Sequence, residues 1–134
     1  MMAFDGTGNR MILFGGQTGP GPFATYSNET WAWDGSTWAR LRPARSPAIR
    51  AFGSMLHDPM LNRIVLFGGR TLVTPWDALS YEFDGTTWSA IARAPVVGRA
   101  PHGYAAFDPA NQQVLLTGSV TYLLGRAARV AELG

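Results

Sequence analysis

The chain has 134 residues, 46% apolar and 15% charged, a globular balance with room for about one domain. Its formal charge is only +2, with all eleven basic residues arginines against nine acids, too little for an expected nucleic-acid groove. No cysteine is present, which excludes disulfides and thiolate-ligated metals, and no apolar run approaches the ~20 residues of a membrane span.

The opening MMAFDGTGNR has no basic head followed by an apolar stretch, so no signal peptide is visible and the compartment stays open. MMAF is the only stretch placed to serve as a first strand, and a turn, FDGTGNR, begins at Phe4. NRMILFGG then reads as a strand buried on both faces, ended by Gly15 and Gly16. Paired glycines permit positive φ and a sharp exit from a sheet. GQTGPGPF follows without a Lys-Ser/Thr or a helix start, so it reads as a variable loop rather than a phosphate loop. Trp31 and Trp33 alternate with Thr30 and Ala32, the period of a half-buried strand. Asp34-Gly35 supplies a tight hairpin turn, after which Trp38 opens another strand. Arg40, Arg42, Arg45 and Arg50 form the basic cluster of the chain, and they read as solvated charge in a connecting loop.

The same text then recurs. FGSMLH is a short strand, HDPMLNR a turn from His57, and NRIVLFGG a buried strand ending at Gly68 and Gly69. The loop RTLVTPWDA starts at Arg70, Tyr81 and Phe83 alternate as Trp31 and Trp33 do, and Asp84-Gly85 leads to Trp88. WAWDGSTW (31–38) and YEFDGTTW (81–88) thus stand 50 residues apart. A third round begins with HGYAAF, turns at FDPANQQ from Phe107, and runs through QQVLLTGS, which puts Gly118 where Gly68 stands. A period of this length signals a solenoid or a propeller. No stretch between Met11 and Val114 shows a helical period.

Four strands per unit, a diglycine and spaced aromatics make the chain similar to kelch-repeat β-propellers, including the propeller of the galactose oxidase superfamily. The matching residues are Gly15, Gly16, Gly68 and Gly69 for the diglycine, Trp33 and Phe83 before the hairpin, and Trp38 and Trp88 after it. The resemblance covers roughly Arg10 to Gly118. It implies an all-β kelch-type propeller fragment of about two and a half four-stranded antiparallel blades. Residues 1–118 hold a partial first blade (1–42), a second (43–93) and a partial third (94–118), with a divergent tail at 119–134. FGSMLH and HGYAAF would be innermost strands, and those opened by Trp38 and Trp88 outermost. The tail loses the hairpin motif; Leu123, Leu124, Ala127, Ala128 and Ala131 suit a short amphipathic helix as well as a degenerate strand or a disordered end. Ile12, Phe14, Trp31, Trp33, Val65, Phe67, Tyr81, Phe83 and Trp88 are expected to be buried.

No catalytic constellation emerges. The radical-copper chemistry of galactose oxidase needs a Cys cross-linked to Tyr, and none exists here. His57 and His102 hold non-equivalent repeat positions without spaced metal partners. Asp34, Asp84, Asp58 and Asp108 recur with the turns and read as turn caps rather than acid–base pairs. No metal or cofactor is expected. The leading reading is therefore a non-catalytic interaction module, part of a larger propeller, that binds a protein or glycan through loops. The candidate contacts are Gln17, Phe23, Tyr26, Arg42, Arg45, Arg70 and Trp76. The alternatives are a fragment of a propeller hydrolase or oxidoreductase whose active site lies outside this chain, and a truncated gene remnant. Open blade faces would leave apolar surface for self-association.

Overall fold

The computed structural model describes residues 1–21, 25–73, 79–91 and 104–117, and the backbone of 121–124 and 130–133. The candidate contacts Phe23 and Trp76, together with His102, Gly118, Ala127 and Ala128, lie outside the described residues. Among the described residues the strands form three open, four-stranded antiparallel sheets, each a meander of consecutive strands. Sheet 1 contains β1 (Met2–Asp5), β2 (Arg10–Thr18), β3 (Thr25–Trp33) and β4 (Trp38–Leu41). Sheet 2 contains β5 (Ser54–Asp58), β6 (Arg63–Phe67), β7 (Ser80–Phe83) and β8 (Trp88–Ala90). Sheet 3 contains β9 (Tyr104–Asp108), β10 (Gln113–Thr117), β11 (Thr121–Leu124) and β12 (Val130–Leu133).

The count of two and a half units is therefore corrected to three sheets of four strands. MMAF does supply a first strand, β1, paired with β2 in the register Ala3↔Ile12. The tail after Ser119 adds two strands, β11 and β12, the strand alternative among the three left open for it. The physical reason is the free edge of β10. Its outward N–H and C=O groups need partners, and the β-prone run Thr-Tyr-Leu-Leu provides them with the register Leu115↔Leu123.

Two kinds of turn build each meander. Between the first and second strands an aspartate caps the turn: Asp5 Oδ1 accepts from the Thr7 and Gly8 amides, Asp58 Oδ1 from Met60 and Leu61, and Asp108 Oδ1 from Ala110 and Asn111. Each turn closes on a left-handed residue, Asn9, Asn62 or Gln112, with φ of 47°, 54° and 54°. Between the third and fourth strands of sheets 1 and 2, Asp34 and Asp84 each cap a hairpin completed by a glycine at positive φ.

The sheets stack face to face. Ala3, Ile12, Phe14 and Ala32 of sheet 1 pack against Ile64, Leu66, Phe83 and Trp88 of sheet 2. The opposite face of sheet 2, with Leu56, Val65 and Phe67, packs against Val114 and Leu116 of sheet 3. The sheets also meet at their first strands, β1 lying against β5 and β5 against β9. Trp88 is the largest fully buried side chain among the described residues. Its ring lies 4.9 Å from both Phe14 and Phe83, and its Nε1 donates to Thr30 Oγ1 at 3.0 Å.

Of the residues expected to be buried, Ile12, Phe14, Val65, Phe67, Phe83 and Trp88 are. Trp31, Trp33 and Tyr81 are only half-buried. For the two tryptophans the cause is position: they project from the face of sheet 1 turned away from sheet 2, where no other sheet packs among the described residues.

Candidate interaction site

The glycine pairs shape one end of the sheets. Gly15, Gly16, Gly68 and Gly69 have φ of 59°, 114°, 59° and 104°. At Gly15 the β2–β3 ladder is interrupted by a bulge. The backbone of Arg50 fills the gap, donating its amide to Ser27 O and accepting from Gly16 N. A β-carbon on Gly15 would stand 2.5 Å from Arg50 O.

Arg50 is fully buried. Its Nε donates to Ala48 O and its Nη1 to Gly68 O, and its guanidinium lies 4.8 Å from the centre of the Tyr81 ring. One residue thus ties the exit of β2 in sheet 1 to the exit of β6 in sheet 2. Of the four arginines expected as solvated charge, Arg40, Arg42 and Arg45 are exposed and Arg50 is not. Arg40 pairs with Glu29 at 2.9 Å, Arg45 runs beside β8, and Arg50 is internal.

Beyond Arg50 the chain turns outward. Ala51 exchanges two backbone hydrogen bonds with Arg70, and Phe52 takes a left-handed conformation with φ of 62°. Its ring meets that of Tyr26 edge-on, 6.1 Å between centres, and remains 44% exposed. Tyr26 is in turn the register partner of Gln17. Of the seven proposed contacts, Gln17, Tyr26 and Arg70 thus fall together at one end. Leu72 and Val73 extend the patch, with Val73 91% exposed. The two remaining arginines lie elsewhere. Arg45 donates its amide to Thr87 Oγ1 and accepts from the Trp88 amide along the outer edge of sheet 2, and Arg42 is exposed in the same connection.

Phe52 was missed because FGSMLH reads as a strand from its first residue, whereas β5 starts at Ser54. An aromatic ring held at positive φ stores strain, and such residues concentrate at functional sites. Its only sequence signal is the place between Ala51 and a glycine.

The opposite end of the sheets is polar, and most of its charged side chains are engaged in ion pairs or turn caps. Arg10 binds Asp5 through Nε at 3.2 Å and donates from Nη2 to Gly85 O at 3.0 Å, lining a cleft of about 130 Å³. Thr7 Oγ1 donates to Asn62 Oδ1 across the two turns. Asp34 and Asp84 are held at a pKa of about 2, chiefly by the backbone amides of Thr37 and Thr87, then those of Ser36 and Thr86. Asp108 is lowered too, first by the Asn111 side chain. Carboxylates so engaged act as turn acceptors rather than proton carriers at neutral pH. His57 Nε2 is buried without a hydrogen-bond partner, close to Gly6. Among the described residues, no three His, Asp or Glu side chains gather into a metal-ligating group, and no helix is long and apolar enough to cross a membrane.

No protein-family model matches the chain, and no curated protein matches its sequence.

Proposed function

We propose that the chain is a non-catalytic, kelch-type β-propeller module that binds a protein or glycan through the loops at its diglycine end. The observation that carries this reading is the convergence at one end of the sheets of Tyr26 from the start of β3, Phe52 from the connection before β5 and Arg70 from the loop after β6, with Phe52 and Arg70 exposed. The propeller part draws support from repeated meanders whose first strands lie against one another. The scaffold beneath the patch is rigid, because Arg50 and the Gly15 bulge fix the loops to two sheets at once, and rigid loops bind at low entropic cost.

The test is a glycan array and a peptide-display panel probed with the wild-type chain, Phe52→Ala, Arg70→Glu and Arg42→Glu. Expected is a ligand that wild type and Arg42→Glu retain and that Phe52→Ala and Arg70→Glu lose by tenfold or more. No ligand in either panel, or equal loss in all three variants, overturns the loop assignment. Turnover of a bound ligand overturns the non-catalytic reading.

A further inference from the structure

The stacking of the three sheets follows one rule, and sheet 1 leaves half of it unused. Sheet 2 docks on sheet 1 through Ile64, Leu66, Phe83 and Trp88. Sheet 3 docks on sheet 2 through Val114 and Leu116, the residues 50 positions after Ile64 and Leu66. The receiving faces correspond as well, Ile12 and Phe14 in sheet 1 standing 53 positions before Val65 and Phe67 in sheet 2. Each sheet therefore has a docking face turned one way and a receiving face turned the other.

Sheet 1 carries its own docking face. The positions corresponding to Ile64, Leu66, Phe83 and Trp88 are Met11, Leu13, Trp33 and Trp38. The ladder aligns them in two rows, Met2–Leu13–Trp31–Arg40 and Phe4–Met11–Trp33–Trp38. Met2 and Phe4 are each 51% exposed and Trp38 is 44% exposed. The charge on this face is already neutralised, since Glu29 accepts from both Arg40 and Trp31 Nε1 at 2.9 Å. Such a surface is built to be covered by apolar groups.

The complement sits at the other end of the stack. Sheet 3 presents Ala106, Leu115 and Thr117 where sheet 2 presents Leu56, Val65 and Phe67. Beside them Tyr104 is 73% exposed. We infer that a second copy of this chain covers the docking face of sheet 1 with the receiving face of its sheet 3, continuing between chains the stacking found twice within one. The contact is head-to-tail, so copies either close into a ring or extend a filament. This inference rests on the stacking alone and stands apart from the loop-binding proposal.

The test uses the full chain in size-exclusion chromatography with light scattering, across a concentration series. Wild type is expected above its 14.5 kDa chain mass, increasingly so with concentration. Phe4→Glu blocks the docking face and Tyr104→Glu the receiving face, so each alone runs as a monomer. Mixed in equal amounts, the two retain one intact face each and form a dimer that grows no further. A monomeric wild type overturns the inference, as does a monomeric mixture. Continued association of Tyr104→Glu alone overturns it in favour of two sheet 1 faces meeting directly, and continued association of Phe4→Glu alone likewise excludes this contact. Circular dichroism and the melting temperature establish that each variant is folded. Trp38→Arg and Thr117→Arg, also at exposed positions, replace a variant that is not.

Discussion

Burying an indole requires a partner for its N–H, and Trp88 finds one in another sheet, Thr30 of β3. Trp88→Phe should therefore destabilise by about 1 kcal/mol through the lost hydrogen bond and the stranded hydroxyl. Trp88→Ala should cost about 3–5 kcal/mol. Trp38 holds the matching position but, among the aromatic rings of the described residues, meets only Trp33, at 5.5 Å. Trp38→Ala should cost less than about 1 kcal/mol, and denaturant melts of the four proteins check the contrast. The hairpin aspartates give a prediction in pH. Their folded pKa of about 2 lies below the ordinary 3.8, so their contribution is complete above about pH 4 and fades as pH falls toward 2. The melting-temperature gap between wild type and Asp34→Ala/Asp84→Ala should be widest near neutrality and narrow through that window. A gap that stays constant to pH 2 would show that the carboxylates do not act through their charge.

At the scale of the element, the exit of β2 depends on a backbone conformation that only glycine adopts without strain. Gly15→Ala would force a side chain into φ of 59° and against the Arg50 carbonyl. We expect a loss of about 2–3 kcal/mol, with the Tyr26–Phe52 patch loosened, measurable as faster amide exchange at Ser27 and Phe52. Arg50→Leu should cost about 1–3 kcal/mol, since it leaves the carbonyls of Ala48 and Gly68 without their donor. The meander was legible in the sequence because its turns are written in side chains: Asp-Gly, the capping aspartates and the diglycines each specify one local geometry. β11 and β12 were not, because their pairing is dictated by the edge of β10 and not by a motif of their own. Burial of Trp31 and Trp33 was misread for a related reason. Alternation says which face a residue occupies, not whether another layer covers that face. The role of Arg50 was equally hidden, since an arginine among arginines carries no mark of being internal.

Across the whole molecule, sheet 2 differs from its neighbours in being covered on both sides. Four of the five β6 residues are buried, whereas β1 alternates buried with exposed. Native-state hydrogen exchange should find the slowest amides in β6, with β1 and β12 exchanging first. Equal protection in all three sheets would contradict this layering. The candidate site was half legible at this scale. Gln17, Tyr26 and Arg70 were expected in loops, whereas Gln17 and Tyr26 pair with each other at the ends of β2 and β3, and their convergence with Arg70 needed the bend at Phe52, which no motif marks. The stacking rule also bears on how such a chain lengthens. Since each unit brings both a face to offer and a face to accept, a tandem duplication of the 50 or so residues between successive tryptophan hairpins inserts a layer whose two contacts already exist. No new interface has to arise by mutation, and the flanking layers meet what they met before. A gene with this property can change its number of layers by recombination alone, leaving point substitutions to diversify the loops.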